Sequence, residues 1–304
     1  MSMVGELNYF IGLQAKQQKD GIFISQEKYA KNLVKRFGLD SKKHTSTPMS
    51  SSAKLSLDAT GVEVDSTLYR SMIGSLLYLT VSRPNIAFSV RVCARFQVAF
   101  KESHLMTVKR IIRYINGTSD YGIWYSKDSN ECLAGYSDAD WAGCINDRKS
   151  TLSGCFYLGN NLVSWMSKKW NSVSLSTAEA KYIAVRSCCG QLLWMRKLLH
   201  DYGITQDTMC VFCDNTSAIN LSKNLVQHSK SKQIEIQYHF IWDLVEEKIV
   251  CLEFINTDNQ KTDIFTNPLN GLRFESLHKI IGVSIIPWTS PMWPHCVHYC
   301  IFAL

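Results

Sequence analysis

A short segment near the middle of the chain most constrains its fold, because an apolar run there ends on two carboxylates. The run from Cys132 to Tyr136 has the composition of a β-strand, and Asp138 and Asp140 follow it almost directly. Small residues up to Gly143 then predict a turn. The segment therefore predicts a strand that carries acidic side chains to the edge of a sheet.

Two later strand-like runs also lead to acidic side chains. Cys210–Cys213 is followed by Asp214, and Val250–Ile255 precedes Asp263. Carboxylates on separate strands suit a divalent-metal site, because Mg²⁺ prefers oxygen ligands and a pair of ions can hold both oxygens of a phosphoryl displacement. Each aspartate alone has a simpler explanation as the cap of the helix that follows it.

Length and charge bound the class of protein. A chain of 304 residues predicts about two domains, and 46% hydrophobic with 19% charged residues indicates a globular protein. The net charge of +7 favours a nucleic-acid partner, although proteins with other roles are as basic. No apolar run reaches the ~18 residues of a membrane span, and no secretion signal is visible. We therefore expect an intracellular protein without a membrane partner; the sequence does not distinguish cytoplasm from nucleus.

Cysteine spacing gives only weak signals for metal. The 11 cysteines are an odd number without framework spacing, which is typical of reduced thiols. Cys210 and Cys213 fit a CxxC pattern, but no second pair follows, so structural zinc is the weaker interpretation. His and Cys also alternate from His295 to Cys300, within a tail of residues 284–304 that matches no predicted element. We expect no metal there and leave the tail unassigned.

The first part of the chain is predicted to be mainly helical after a β-hairpin. The hairpin strands are Leu7–Gln14 and Ile22–Ser25, with a polar turn from Lys16 to Gly21. Helical spacing is present at residues 25–37, 69–80, 84–98 and 103–114. The last helix carries Lys109, Arg110 and Arg113, which form either a solvated basic face or a surface for phosphates. Polar residues 116–130 predict a domain boundary.

The second part predicts three strands in hairpin order and then alternating helices and strands. Such an order implies a mixed sheet with helices on its faces. The predicted strands are Cys132–Asp138, Thr151–Leu158, Leu162–Ser167, Met209–Cys213 and Ile249–Ile255. The predicted helices are Ser176–His200, Asn215–Ser222, Ile234–Glu247 and Asp258–Phe265, with a basic loop at His228–Lys232.

These motifs resemble the C-terminal part of copia-type LTR retrotransposon polyproteins, that is, the end of the reverse transcriptase followed by ribonuclease H. The ribonuclease H resemblance lies in residues 137–143, 213–219, 237–240 and 263–266, which occur in the family's order. The reverse-transcriptase resemblance lies in residues 7–12, 21–26, 69–80, 82–86 and 109–114. The resemblance therefore covers most of the chain.

The resemblance implies a fold and a domain plan. Residues 1–128 would be a mainly helical, thumb-like remnant of reverse transcriptase with an N-terminal β-hairpin and a primer-grip-like role. Residues 129–283 would be an α/β ribonuclease H-like domain with a mixed five-stranded sheet. The paired aspartates of a polymerase palm are absent from the sequence. No polymerase activity is expected from this chain alone.

The resemblance also implies a chemistry and its residues. Asp138, Glu179, Asp214 and Asp263 would bind two Mg²⁺ ions, which Mn²⁺ can replace, and hydrolyse the RNA strand of RNA–DNA hybrids during reverse transcription. Asp140 is expected to be structural, because the family's catalytic acid is the first in the motif. Lys109, Arg110 and Arg113 would contact phosphates. The implied partners are the hybrid and the upstream palm and fingers of the polyprotein.

Lys181 departs from the family pattern at the long helix. The family has Glu-Ala-Glu-Tyr, whereas this chain has Glu179-Ala180-Lys181-Tyr182, and the register assigns the metal-binding glutamate to position 181. Ser176 to Glu179 also form a capping box, which gives Glu179 a structural role. Glu179 is thus either a substitute ligand or a helix cap. Further departures are Trp170, Gln233, Gln237 and Asn267.

Three functions follow from these observations. The first is a ribonuclease H, impaired to some degree by Lys181. The second is a catalytically dead, nucleic-acid-binding remnant of a retrotransposon polyprotein. The third is an α/β protein unrelated to nucleic acid, which would require all of the motifs to coincide by chance.

Overall fold

The computed structural model describes residues 9–53, 55–223 and 232–286. Its chain forms two compact units. The first comprises residues up to Asp128 together with residues from Asn267 onward, and the second runs from Ser129 to Thr266. The first boundary coincides with the predicted one. The predicted second domain extended to residue 283, but the chain after Thr266 returns to the first unit.

The described strands and helices are numbered in chain order. The strands are β1 Tyr9–Phe10, β2 Leu13–Gln18, β3 Gly21–Ser25, β4 Gly122–Ser126, β5 Leu133–Ala139, β6 Thr151–Leu158, β7 Asn161–Lys169, β8 Met209–Cys213, β9 Val250–Phe254 and β10 Val283–Ser284. The helices are α1 Glu27–Arg36, α2 Ser66–Leu79, α3 Ala87–Ala94, α4 Glu102–Asn116, α5 Thr177–Asp201, α6 Thr216–Lys223, α7 Lys232–Glu246, α8 Asp263–Thr266 and α9 Gly271–Ile280. Among the residues described, no helix is long and apolar enough to cross a membrane.

The first unit contains a sheet in the order β1-β2-β3-β4-β10, with antiparallel neighbours throughout. The predicted hairpin turn between Lys16 and Gly21 is confirmed but is shorter, because β2 continues to Gln18, which pairs with Gly21, so that only Lys19 and Asp20 form the turn. A second turn, which the prediction missed, joins β1 to β2 at Ile11 and Gly12, where both residues have positive φ. Positive φ at both central residues matches the right-handed twist of the flanking strands in a tight hairpin.

The polar stretch before the boundary contains a strand that the prediction missed. β4 pairs with β3, so that Ile123 lies opposite Ile24. On its other side Ile123 pairs with Val283 of β10. Its run of Ile123, Trp124 and Tyr125 is typical of a strand, but it is short and stands inside a stretch that was predicted from its polar composition to be a boundary. The returning segment, α9 and β10, was likewise unpredicted and completes this sheet.

A buried arginine organises the helical part of the first unit. Arg83 is 1% exposed, and its guanidinium donates hydrogen bonds of 2.7 Å to the carbonyl and to the hydroxyl of Thr118. It also lies over the rings of Tyr114 and Tyr121. Burial lowers the pKa of Arg83, while Tyr114 opposes that shift. Arg83 therefore links the segment before α3 to the end of α4.

The returning helix α9 adds a buried histidine to the first unit. The His278 ring stacks on Tyr121, with 5.5 Å between centroids, and lies near Phe274. Burial lowers the pKa of His278 to about 4, and the positive charge of Arg83 adds to the shift. His278 is thus neutral at pH 7.

The second unit contains the predicted mixed five-stranded sheet, in the order β7-β6-β5-β8-β9. β5, β6 and β7 are antiparallel neighbours, whereas β8 and β9 run parallel to β5. α5 packs closely on β5 at Gly135, where an added Cβ would lie 2.6 Å from the Cys188 sulfur. This contact fixes the start of α5 beside the carboxyl end of β5.

The predicted helix from Asp258 to Phe265 is broken in two. A 3₁₀ turn covers Thr257–Asn259, and α8 begins only at Asp263. Gln260 interrupts the helix because its buried amide donates to the carbonyl of Ser137 on β5, over 3.1 Å. The break ties the segment before α8 to the strand that carries Asp138.

Candidate active site at the carboxyl ends of the central strands

Asp138 and Asp214 lie at the same end of the sheet. Asp138 is near the end of β5, and Asp214 directly follows β8, which runs parallel to β5 with Tyr136 opposite Phe212. Both side chains are 5% exposed. The structure brings these two carboxylates, each expected at the end of a separate strand, into contact with one side chain of α5.

That common contact is Lys181. Its ammonium lies 3.1 Å from Oδ1 of Asp138 and donates a hydrogen bond to Oδ1 of Asp214. The Lys181 side chain is only 13% exposed. Burial by itself lowers the pKa of Lys181, but the charges of Asp138 and Asp214 outweigh it and raise the pKa above its ordinary value of 10.5. One buried cation therefore bridges two buried carboxylates at neutral pH.

Thr257 completes the surroundings of Asp214. Its hydroxyl donates to Oδ2 of Asp214 over 3.3 Å, so both oxygens of this carboxylate accept hydrogen bonds. Thr257 lies in the 3₁₀ turn after β9. Sequence reasoning missed it, because a threonine in a polar loop carries no signal until the strands are aligned.

Glu179 acts as a helix cap in this structure. The hydroxyl of Ser176 accepts the backbone N–H of Glu179 over 3.1 Å. Oε2 of Glu179 accepts the backbone N–H of Leu175 over 2.6 Å. The bond from the Glu179 N–H to Ser176 is the N-cap half of the predicted capping box. The carboxylate of Glu179 departs from that pattern, because it accepts from Leu175, one residue before the Ser176 N–H that a capping box uses. One oxygen of Glu179 is thus committed to the backbone.

Asp140 and Asp263 have separate positions. Asp140 closes the β5–β6 ladder, since its Oδ1 accepts the N–H of Thr151 and its own N–H donates to the Thr151 carbonyl over 3.1 Å. This agrees with the structural role expected for Asp140. Asp263 is the half-buried first residue of α8. The hydroxyls of Thr266 on α8 and Ser153 on β6, 2.6 Å apart, hold that helix against β6.

The residues present fit a lysine-bridged cluster better than a pair of Mg²⁺ ions. In the part of the chain that the structure describes, the four predicted acids do not form a trio with carboxylate oxygens within 4.8 Å of one another. Lys181 instead occupies the space between Asp138 and Asp214. Its N–H groups use oxygens that a hard cation would need. Two ions would require Lys181 to leave.

The predicted basic face on α4 is only partly available. Arg110 donates to the carbonyl and the hydroxyl of Thr47, over 3.3 Å and 3.0 Å, and so attaches a loop to the helix. Burial lowers the pKa of Arg110, and the charge of Arg113 adds to the effect. Lys109, Arg110 and Arg113 are all half-buried.

Proteins of known origin resemble this chain over most of its length. The retrovirus-related Pol polyprotein from transposon RE1 of Arabidopsis thaliana is 38% identical over 284 residues, which is 93% of this chain and 19% of that protein. The corresponding protein from transposon TNT 1-94 of Nicotiana tabacum is 34% identical over 292 residues, with 93% and 22% covered. The uncharacterized mitochondrial protein AtMg00810 of Arabidopsis thaliana is 34% identical over 194 residues, which is 80% of its length.

The chain belongs to the retrovirus-related Pol polyprotein family. It spans about a fifth of the length of the Pol polyproteins that it matches, namely 19–22%. No protein-family model matches the chain. Membership agrees with the expected retrotransposon origin and with the ribonuclease H-like sheet of the second unit.

Solved structures show weaker likeness. LC11-RNase H1 is 13% identical, with 45% of this chain and 93% of that chain covered and a TM-score of 0.35. The foamy viral protease-reverse transcriptase in complex with double-stranded DNA is 8% identical, with 82% and 37% covered and a TM-score of 0.46.

Proposed function

We propose that the second unit is the ribonuclease H domain of a copia-type Pol polyprotein, that the chain binds RNA–DNA hybrids, and that Lys181 suppresses Mg²⁺-dependent cleavage of the RNA strand. The observation that carries this proposal is the ammonium of Lys181 between Asp138 and Asp214. Membership in the Pol family and the order of the acidic motifs support the hybrid as substrate.

The suppression follows from charge and coordination. A divalent ion at Asp138 and Asp214 needs carboxylate oxygens in near-ideal octahedral geometry. Lys181 already donates to Oδ1 of both residues and is itself buried. Like charges repel strongly at this depth, because the interior screens them poorly. An entering cation would therefore have to displace a paired ammonium.

Binding of the hybrid does not require metal ions at Asp138 and Asp214. Contacts between basic side chains and phosphates supply most of the affinity of proteins for nucleic acid without reading its sequence. The net charge of +7 favours such contacts, and Lys109 and Arg113 are the proposed contributors on α4. Arg110 contributes less, since it is committed to Thr47. The proposed polypeptide partner is the upstream part of a Pol polyprotein.

The test is cleavage of an end-labelled RNA–DNA hybrid in Mg²⁺ and, separately, in Mn²⁺. The proteins compared are the native chain, Lys181→Glu, and Lys181→Glu combined with Asp138→Asn. Lys197→Glu is the matched control, because it makes the same charge change at an exposed position of the same helix. We expect hybrid binding by all four proteins and cleavage by Lys181→Glu alone.

The other outcomes separate the candidates. Cleavage by the native chain at the rate of Lys181→Glu would show that Lys181 does not suppress the site. Hybrid binding without cleavage by any variant would leave the non-catalytic binding remnant as the function. If the native chain binds single-stranded RNA, duplex DNA and the hybrid equally weakly, the proposed substrate class is wrong.

A further inference from the structure

Two cysteines and a glutamate lie close together on β8 and on its neighbour β9, the edge strand of the second sheet. β8 and β9 are parallel neighbours, and Cys210 lies opposite Cys251 in their register. Glu253 follows Cys251 by two residues and therefore lies on the same face of β9. Its Oε1 lies 3.6 Å from the sulfur of Cys210 and 3.9 Å from that of Cys251. The three ligand atoms all lie within 4.8 Å of one another.

The local CxxC spacing is misleading, because Cys210 and Cys213 do not share a face. Cys213 is fully buried, as is Val211, whereas Cys210 is only half-buried. Successive side chains of a strand point to opposite faces of the sheet, and Cys213 is three residues after Cys210, so the two cysteines lie on opposite faces. The partner of Cys210 comes instead from β9. Sequence spacing alone had no means of selecting Cys251.

Solvent reaches the cluster. β9 is the edge strand of its sheet, Cys251 is half-buried and Glu253 is exposed. Among residues 9–53, 55–223 and 232–286, this is the one trio of His, Cys, Asp or Glu whose ligand atoms approach so closely. The predicted Mg²⁺ ligands did not form such a trio. The cluster is also independent of the proposed nuclease chemistry.

The donor set selects the kind of ion. Thiolate sulfur and carboxylate oxygen are ligands of Zn²⁺, which binds three protein groups and a water in open tetrahedral sites. Mg²⁺ and Ca²⁺ disfavour thiolates. We propose that Cys210, Cys251 and Glu253 bind one Zn²⁺ ion, with the fourth position open to water.

Binding would involve proton release and no redox change. Burial raises the pKa of Cys210 to about 12, and the neighbouring Cys251 and Glu253 add to that rise. A bound divalent cation would act in the opposite direction and lower the pKa of the thiols, because it binds them in the deprotonated form. Each cysteine that coordinates as a thiolate loses one proton to the buffer, and Zn²⁺ exchanges hydration water for the three side chains. The bound ion would join the edge strand β9 to β8.

The first probe is Co²⁺, added to the reduced protein under nitrogen. Tetrahedral Co²⁺ bound to thiolate gives a charge-transfer band in the near ultraviolet and intense visible bands, and Zn²⁺ should then displace it. Cys210→Ser combined with Cys251→Ser should remove the charge-transfer band. Glu253→Gln should keep the band, because both thiolates remain. It should weaken Zn²⁺ binding by roughly 10–100-fold or more, since loss of even an outer-shell partner has an effect of that size.

Cys132→Ser is the matched control, since Cys132 is an exposed free cysteine of the same unit. It should bind both ions like the native chain. Circular dichroism would establish that the serine variants are folded. The proposal is overturned if the native chain gives no thiolate band, or if the band survives in the folded double serine variant. Comparing native and double variant also separates this site from other cysteines and histidines of the chain.

Discussion

Lys181 on α5 and Asp138 on β5 form a buried ion pair, with 3.1 Å between Nζ and Oδ1. Asp214 shares the same ammonium, so two carboxylates depend on one cation. The pair involves position 181, where the family resemblance predicts an acidic side chain instead of lysine. Removing or reversing this one charge therefore affects stability and chemistry at the same time.

Lys181→Met should destabilise the second unit by about 3 kcal/mol at pH 7, because it leaves two buried carboxylates without their cation. Urea unfolding at pH 7 measures the change. Lys197→Met, on the exposed face of α5, should change stability by less than about 0.5 kcal/mol. Equal stability of the two variants would contradict the bridging role.

Glu179→Ala should destabilise the start of α5 by about 1 kcal/mol, since it removes a cap acceptor. Glu179→Gln keeps an oxygen for the N–H of Leu175 and should be nearly neutral. In the Lys181→Glu background, Glu179→Gln should leave cleavage of the hybrid unchanged. Loss of cleavage without loss of stability would instead make Glu179 a metal ligand.

His278 should make the first unit less stable in mild acid. Its pKa is about 4 in the folded protein, through burial and the charge of Arg83, against an ordinary 6.5. Between these values the unfolded chain binds more protons, so stability falls as the pH drops from 6.5 and levels off near 4. The expected loss is at most about 3 kcal/mol.

Thermal unfolding of His278→Phe tests that expectation. Phenylalanine keeps the stacking on Tyr121 but has no proton to bind, so the slope between pH 6.5 and 4 should flatten. His200→Phe, at an exposed position, is the comparison and should keep the native slope. An unchanged slope in His278→Phe would assign the acid sensitivity to other groups.

Arg83→Lys should cost about 3 kcal/mol although it preserves the charge. An ammonium is compact and cannot reproduce the planar donor geometry that reaches both oxygens of Thr118 from between two aromatic rings. Urea unfolding measures the loss, with Arg91→Lys as the exposed control on α3, expected within about 0.5 kcal/mol. A neutral Arg83→Lys would mean that charge alone matters at this position.

The elements that sequence predicts best are those whose signals are local. β6 and β8 occur at the predicted residues, because apolar runs bounded by turn residues mark both. β4 was missed because its five residues lie within a polar stretch, and only its pairing with β3 and β10 shows that this run is a strand. Gln260 likewise broke a predicted helix through a bond to Ser137, which only the folded sheet brings near.

The site shows the same division. The sequence predicted Asp138 and Asp214 at the ends of two strands, and the parallel pairing of β5 with β8 brings those ends together. The register also marked position 181 as anomalous. The direct contact of Lys181 with both carboxylates, the bond from Thr257 and the meeting of Cys210 with Cys251 needed three-dimensional positions. The spacing of residues within one strand or helix does not show which residues of other elements will contact them.

The return of α9 and β10 to the first unit has a consequence for biosynthesis. The second unit is complete in the nascent chain once Thr266 has been made, whereas the first unit still lacks the strand that pairs with β4. Domains fold as units as they emerge during synthesis. The first unit is therefore completed after the second. A chain ending just after Thr266 would keep every residue of the acidic site, but the sheet of the first unit would lack β10.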